Sequence, residues 1–250
     1  MKWFIEIIKI YHLRGIKMKA IRIESIKISD INMDKCYFNP GCALSIYKPK
    51  LEHNILDMLN EHFGPVKMHN ICCRHNTGLP SGSTIINNCA GCDKRFRSMY
   101  DGIQTISLWE ILDSIENLPL PDHMKMKVSV QDPCSYRPKP QVHEAVRSIL
   151  KRMNIEIMES QYHGTSSICC GDNFYPSLSI EEVNKLQKKR AAQMPCQDVV
   201  VYCVSCVKSM TIGEKTAHHM VDLILGEKTE AQETRLDVYH NALKEYIDAH

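Results

Sequence analysis

Asp198-Val-Val-Val-Tyr-Cys203-Val-Ser-Cys206 decides the fold: a short apolar, β-branched run enters a CxxC pair with no spacer. A run of that kind reads as a strand, and the cysteines then fall just past its end. Thr84-Ile-Ile-Asn-Asn-Cys89-Ala-Gly-Cys92 repeats the arrangement about a hundred residues earlier. Working outward, each CxxC is preceded by a vicinal pair, Cys72-Cys73 or Cys169-Cys170, that follows a short strand-like segment, 66–69 or 155–158. Before that comes a helix opened by Pro49 or Pro140, and Pro suits a first helical position because its missing N–H would be unpaired there. The helices carry matching apolar stripes, Leu51/Ile55/Met58/Leu59 and Val142/Val146/Ile149/Leu150/Met153. Earlier still, a strand ends in a Pro turn and a cysteine, at Pro40-Gly-Cys42 and Asp132-Pro-Cys134. Beyond each CxxC, Leu108–Leu112 and Met220–Ile224 match in turn.

The chain is therefore an internal duplication. Strands alternating with helices predict an α/β fold, two pseudo-symmetric modules around mainly parallel sheet. The modules are expected over 34–120 and 121–228, after a lead-in at 1–33 and before an amphipathic helix at 229–250 with Leu236, Tyr239, Leu243, Tyr246 and Ile247 on one face. The lead-in reads as a packing extension, a surface-binding helix, or an upstream start with Met18 as initiator. The copies differ between the vicinal pair and the CxxC. The second has a helix there, starting at Ser179 with Glu182 as its capping-box partner. The first has only Gly78-Leu-Pro-Ser-Gly82. Without that helix, the first cysteine set is expected to be the more open to water.

At 250 residues the chain can bury a sizeable core, and a formal net charge of +2 gives no reason to expect nucleic acid. Lys2, Glu6 and Lys9 interrupt the apolar start, so it does not read as a secretory signal. No uncharged stretch approaches the ~20 residues that span a bilayer. A reducing, cytoplasmic setting is expected. There, 12 cysteines point to metal or redox chemistry rather than a disulfide framework.

In each copy the first cysteine, the vicinal pair and the CxxC all follow strands. In open parallel sheets such loops converge on one crevice. Five thiols are thus expected at one place in each module: Cys42, Cys72, Cys73, Cys89 and Cys92, then Cys134, Cys169, Cys170, Cys203 and Cys206. Thiolates at this spacing suit zinc or iron–sulfur. A tetrahedral zinc takes four ligands and rarely both of a vicinal pair, whereas a cluster accepts ligands over a wider arc. Iron–sulfur is the leading reading, with zinc and metal-free thiol–disulfide chemistry beside it. Cys36 and Cys196 stand outside the repeat and read as thiols used as small apolar residues.

The doubled pattern, with Pro40-Gly-Cys42, Cys72-Cys73, Cys89-Ala-Gly-Cys92, Asp132-Pro-Cys134, Cys169-Cys170-Gly171 and Cys203-Val-Ser-Cys206, resembles the cysteine-rich CCG domain of the heterodisulfide reductase B subunit and of related iron–sulfur subunits. The resemblance covers about 36–227. It implies one or two [4Fe–4S] clusters, noncubane, each on one five-cysteine set, and an oxidoreductase component that cleaves a disulfide or acts on a thiol, in an anaerobic setting. Copy one departs from it in having Arg74 where copy two has Gly171. The ferredoxin spacing and a GxGxxG turn are both absent. Electrons are therefore expected from a donor, a ferredoxin-like or flavoprotein partner. Pure electron transfer and a zinc-binding interaction module are the alternatives, and no catalytic residue is assigned. His75 and His163 could protonate a leaving thiolate, and Arg74 and Arg137 could neutralise cluster charge. Lys94, Arg95 and Arg97 could meet an acidic partner, or be a solvated face. His218-His219 reads as ordinary helix surface.

Overall fold

A computed structural model describes residues 26–250, so the lead-in up to residue 25, Met18 included, lies outside the described residues. The first module runs β1 (Cys36–Asn39), α1 (Cys42–Tyr47), α2 (Pro49–Phe63), β2 (Lys67–Met68), β3 (Thr84–Asn87), α3 (Ala90–Met99), β4 (Gln104–Ser107) and α4 (Leu108–Asp113). The second repeats it as β5 (Lys127–Gln131), α5 (Pro140–Arg152), β6 (Glu156–Ile157), α6 (Ile180–Ala191), β7 (Asp198–Val201), α7 (Val204–Ile212), β8 (Thr216–His219) and α8 (Met220–Ile224). A last helix, α9 (Leu236–Ala249), follows. The sheets are ordered β2-β1-β3-β4 and β6-β5-β7-β8, and every pairing is parallel. The α/β duplication is thus as expected.

Parallel strands buried on both faces need apolar residues at successive positions. Along β7, Val200 faces the core shared by the two modules, and Val199 and Val201 face a separate cluster with Met210 and Ala191. In β3, Ile86 points to the shared core and Ile85 to a third cluster around Phe96. The shared core also takes the apolar stripes of α2, α4, α5 and α8. Polar ties cross it twice, from equivalent places. Lys48, just before Pro49, reaches Asp222 on α8 at 2.8 Å, and Lys139, just before Pro140, reaches Glu110 on α4 at 3.5 Å.

Two details differ from the sequence reading. β4 and β8 are strands that polar composition concealed, since pairing with β3 and β7 fixes them. His218-His219 is correspondingly not helix surface. It ends β8, with His218 paired to Asp198 at 2.8 Å and His219 fully buried.

Candidate metal centre

In both sheets the strand order reverses between the first and third strands, β1/β3 and β5/β7. Loops leaving the carboxyl ends on either side of such a reversal open a crevice. Cys42 and Cys89, like Cys134 and Cys203, lie just past the strands that flank the reversal, while the vicinal pairs follow the outer strands β2 and β6. Cys42 opens α1, two residues beyond Pro40 and the end of β1, and Cys134 opens a single 3-10 turn beyond β5. Cys89 and Cys203 are the residues that cap the N-termini of α3 and α7, so Cys92 and Cys206 occupy the first turns of those helices. A helix start presents unpaired N–H groups and a positive dipole end, which favour anionic sulfur. The pKa of the Cys89 thiol is lowered to about 7, first by its contact with Cys92, with the nearby amides at the start of α3 adding to it against burial.

Within each set the thiols interact as a chain, and the order is the same in both modules. In the first it runs Cys42–Cys72–Cys73–Cys92–Cys89. In the second it runs Cys134–Cys169–Cys170–Cys206–Cys203. The crowding splits their acidities. Hydrogen bonds from Cys42 and Cys73 pull the Cys72 thiol far below the ordinary range, and Cys134 and Cys170 do the same to Cys169. Their partners Cys42 and Cys134 are pushed far up by those same contacts, with burial adding to it. All of the cysteines are free. Among the described residues, no three or more His, Cys, Asp or Glu side chains converge to hold a metal ion as they stand.

Glycines let the loops approach closely. A Cβ on Gly41 would lie 2.7 Å from the Cys89 Cβ. On Gly171, where φ is +108°, it would meet Gln187 of α6 at 2.8 Å. Helix α6, capped as expected by the Ser179–Glu182 box, thus presses directly onto the backbone after Cys170. Deeper in, Asp132 ties the Cys134 turn to the loop before Cys169. It accepts from Arg147 at 2.9 and 3.0 Å, from Tyr202 at 2.5 Å and from the Gly164 amide at 2.6 Å. Burial works against this carboxylate, but the hydrogen bonds from His143, Arg147 and Tyr202 hold it well below the usual range.

By the exposure of their cysteines the two sets are nearly alike. Cys72, Cys73 and Cys92 are buried, against Cys170 and Cys206 in the second set. Where the first module lacks the insert, α9 lies over part of its set. Its Tyr246 lines the small pocket that also contains Cys42, Cys72, Cys73 and Cys92. Ile247 packs against the cysteine cluster, and its carbonyl lies 2.7 Å from His75 Nε2. The other end of α9 lies on the second module, with Tyr239 Oη 3.0 Å from Ser205 Oγ and His240 3.2 Å from Asp172. Asp172 also pairs with the fully buried Lys208, whose ammonium lies 3.9 Å from the centre of the Tyr239 ring.

Several residues proposed from sequence turn out to hold loops. Arg95 donates to the Cys73 carbonyl at 2.8 Å, and Arg97 pairs with buried Asp93 at 2.9 Å, while Lys94 is exposed. Arg137 donates to the Ser167 carbonyl, and His163 Nδ1 sits 2.8 Å from the Ser160 carbonyl. Arg74 is exposed. Cys36 is fully buried, and burial pushes its thiol up to about 11, as suits a packing residue; Cys196 is half-buried. Tyr136 is the residue missed from sequence; Asp132 stands in the Asp132-Pro-Cys134 motif and Tyr239 and Tyr246 on the apolar face of α9, but what each of them touches is decided by tertiary packing.

The pattern of loops, pairs and CxxC helices can be compared with known families. The CCG cysteine-rich domain matches residues 128–211. That span takes in β5 to α7 and all five cysteines of the second set. No curated protein matches the chain. Beyond the CCG match, the first module reproduces the strand order, the parallel pairing and the cysteine order of the second. A cysteine-rich CCG domain with this donor set is compatible with an iron–sulfur cluster. Among the described residues, no helix is long and apolar enough to cross a membrane.

Proposed function

We propose that this chain is an iron–sulfur oxidoreductase component, similar to the heterodisulfide reductase B subunit, that reductively cleaves a disulfide substrate to thiols at the crevice of its duplicated sheets. The observation that carries this is the pair of five-sulfur chains, in the same order, beyond the carboxyl ends of β1–β3 and β5–β7. Soft sulfur donors, five to a set, suit a cluster with several irons better than one four-coordinate zinc. Cys42, Cys72, Cys73, Cys89 and Cys92 would hold one [4Fe–4S] cluster, and Cys134, Cys169, Cys170, Cys203 and Cys206 the other.

A bound cluster would supply single electrons at the floor of the crevice. The chain does the rest. The helix starts at Cys89 and Cys203 stabilise anionic sulfur through their free N–H groups. Helices α6 and α9 restrict water at the two sets. The small pocket beside Cys42 and Cys72, lined also by Ser45, His69, Asn70 and Tyr246, marks where the first set lies nearest to solvent. Two electrons and two protons convert one disulfide into two thiols. The electrons come from a donor protein, ferredoxin-like or flavoprotein, and the protons from solvent.

The test is turnover of a small disulfide by anaerobically purified protein with reduced viologen as donor. The expected result is thiol release that is lost in Cys73→Ser. Clusters without turnover would assign the chain to electron transfer alone, and colourless protein carrying zinc would assign it to an interaction module.

A further inference from the structure

Tyr136 stands apart among the groups near the cysteines. It belongs to the second module, two residues past Cys134, and is fully buried. Its hydroxyl has no hydrogen-bond partner. Buried hydroxyls are nearly always paired, because an unpaired one forfeits its bond to water. The 3-10 turn that carries it packs across the module boundary on α3, the helix capped by Cys89. Burial raises the pKa of this hydroxyl most, and beside it act Asp93, Cys89, Glu110 and Cys92 of the first module, with Tyr202 of its own module also near. The two carboxylates are already engaged. Lys139 lies 3.5 Å from each, Arg97 holds Asp93 at 2.9 Å, and Glu110 accepts from the Ser107 amide at 3.0 Å. The ring cannot turn away easily, since it stacks on Tyr202 at 6.3 Å and 17°, with the Lys139 ammonium 5.8 Å from its centre.

Resting on the iron–sulfur reading above, we infer that the Tyr136 hydroxyl donates a hydrogen bond to the sulfur of the cluster on the first cysteine set, and thereby separates the potentials of the two sites. The equivalent position in the first module, two residues past Cys42, is Leu44, which is buried in the shared core and has nothing to donate. A donor aimed at cluster sulfur stabilises the reduced, more negative state and raises the potential. The first cluster is thereby the better electron acceptor, and electrons entering at the second run downhill to it across the module boundary. Tyr136 is a positioning and tuning residue in this account, and it touches neither substrate nor solvent.

The experiment is a redox titration of the full chain, followed by electron paramagnetic resonance, in wild type and Tyr136→Phe. Cys169→Ser, which keeps only the first set intact, assigns the signals. Phe preserves the stacked ring, so the fold is retained. The expected result is a fall in the first cluster's potential with the second unmoved. Site-specific 3-fluorotyrosine at 136, a stronger donor of nearly the same shape, is expected to shift the same potential upward. An unchanged first potential in both variants overturns the inference and leaves the iron–sulfur reading standing; a protein in which only the second set takes up a cluster overturns the inference and the assignment of a cluster to the first set. A chain without iron and sulfide sinks that reading and the inference with it.

Discussion

The two modules reach the same covered sulfur chain by different connections. The second covers its set with an insert of its own: α6 lies between the vicinal pair and the CxxC, and Gly171 lets it sit on the backbone. The first lacks the insert. Its loop after Cys73 is pinned by Arg95 and Tyr100, and its cover is α9, from residues 236–249. At about 1.5 Å per residue, the 14 residues of α9 span about 21 Å, enough to reach from Ser205 and Asp172 on one module to Cys72 and His75 on the other. What the duplication preserves is the protected crevice, and a segment distant in sequence can provide the protection.

The largest effect is expected where the second module depends on its insert. Gly171→Ala puts a Cβ 2.8 Å from the Gln187 side chain and 3.1 Å from its backbone nitrogen, at a φ of +108°. That strain and overlap should cost about 2–4 kcal/mol and displace α6. Denaturant unfolding should show the loss, and iron should leave the second set while the first keeps its own. Arg74→Gly, the counterpart substitution, should change neither. Equal losses at both positions would break the comparison.

A second difference lies where each module's last strand meets its last helix. Ser107 accepts from the amides of Trp109 and Glu110 in a capping box. At the same place in the second module stands His219, fully buried, with neither ring nitrogen hydrogen-bonded. Burial lowers its pKa to about 4, and nearby Lys48 adds to this while Asp222 opposes it. The unfolded chain therefore binds a proton that the folded one resists. Stability is full above about pH 6.5 and is lost as pH falls toward 4, at up to about 1.4 kcal/mol per pH unit for one proton. His219→Ser, which brings in the first module's cap, should remove this slope. Urea unfolding of metal-free protein at a series of pH values measures it, and an unchanged slope in the variant would assign the acid loss to other groups.

The smallest effect concerns α9. Tyr246→Ala combined with Ile247→Asp should loosen only the end of the helix on the first module, since Leu236 and Tyr239 are the buried anchors at the other end. Absorbance of the first cluster should then bleach several-fold faster in air, with the second unaffected. Faster loss from both, or from neither, would mean that α9 does not act as the first module's cover.

Much of this organisation is legible in the sequence because the repeat marks it. Pro49 and Pro140 open α2 and α5, Ser179 and Glu182 cap α6, and each cysteine loop follows the strand expected of it. The polar strands Gln104–Ser107 and Thr216–His219 were not legible, because pairing with β3 and β7 decides them rather than composition. Nor was the cover over the first set. The apolar face of α9 shows in the pattern of Leu236, Tyr239 and Tyr246, but a pattern does not say what it docks on. The use of Arg95 and Arg137 to hold carbonyls was hidden for the same reason, since those partners come from other loops, whereas Arg97 pairs with Asp93 one turn back on its own helix, a spacing the sequence does carry.

The central claim is that each module holds its own iron–sulfur cluster on five cysteines. Iron and acid-labile sulfide per chain test it most directly, measured on anaerobically purified wild type and on Cys72→Ser/Cys73→Ser and Cys169→Ser/Cys170→Ser. The account predicts iron and sulfide in nearly equal amounts, about four of each per intact set, so that each double variant retains about half of the wild-type content. Zinc in place of iron, or a first-set variant that keeps the full wild-type content, would contradict it.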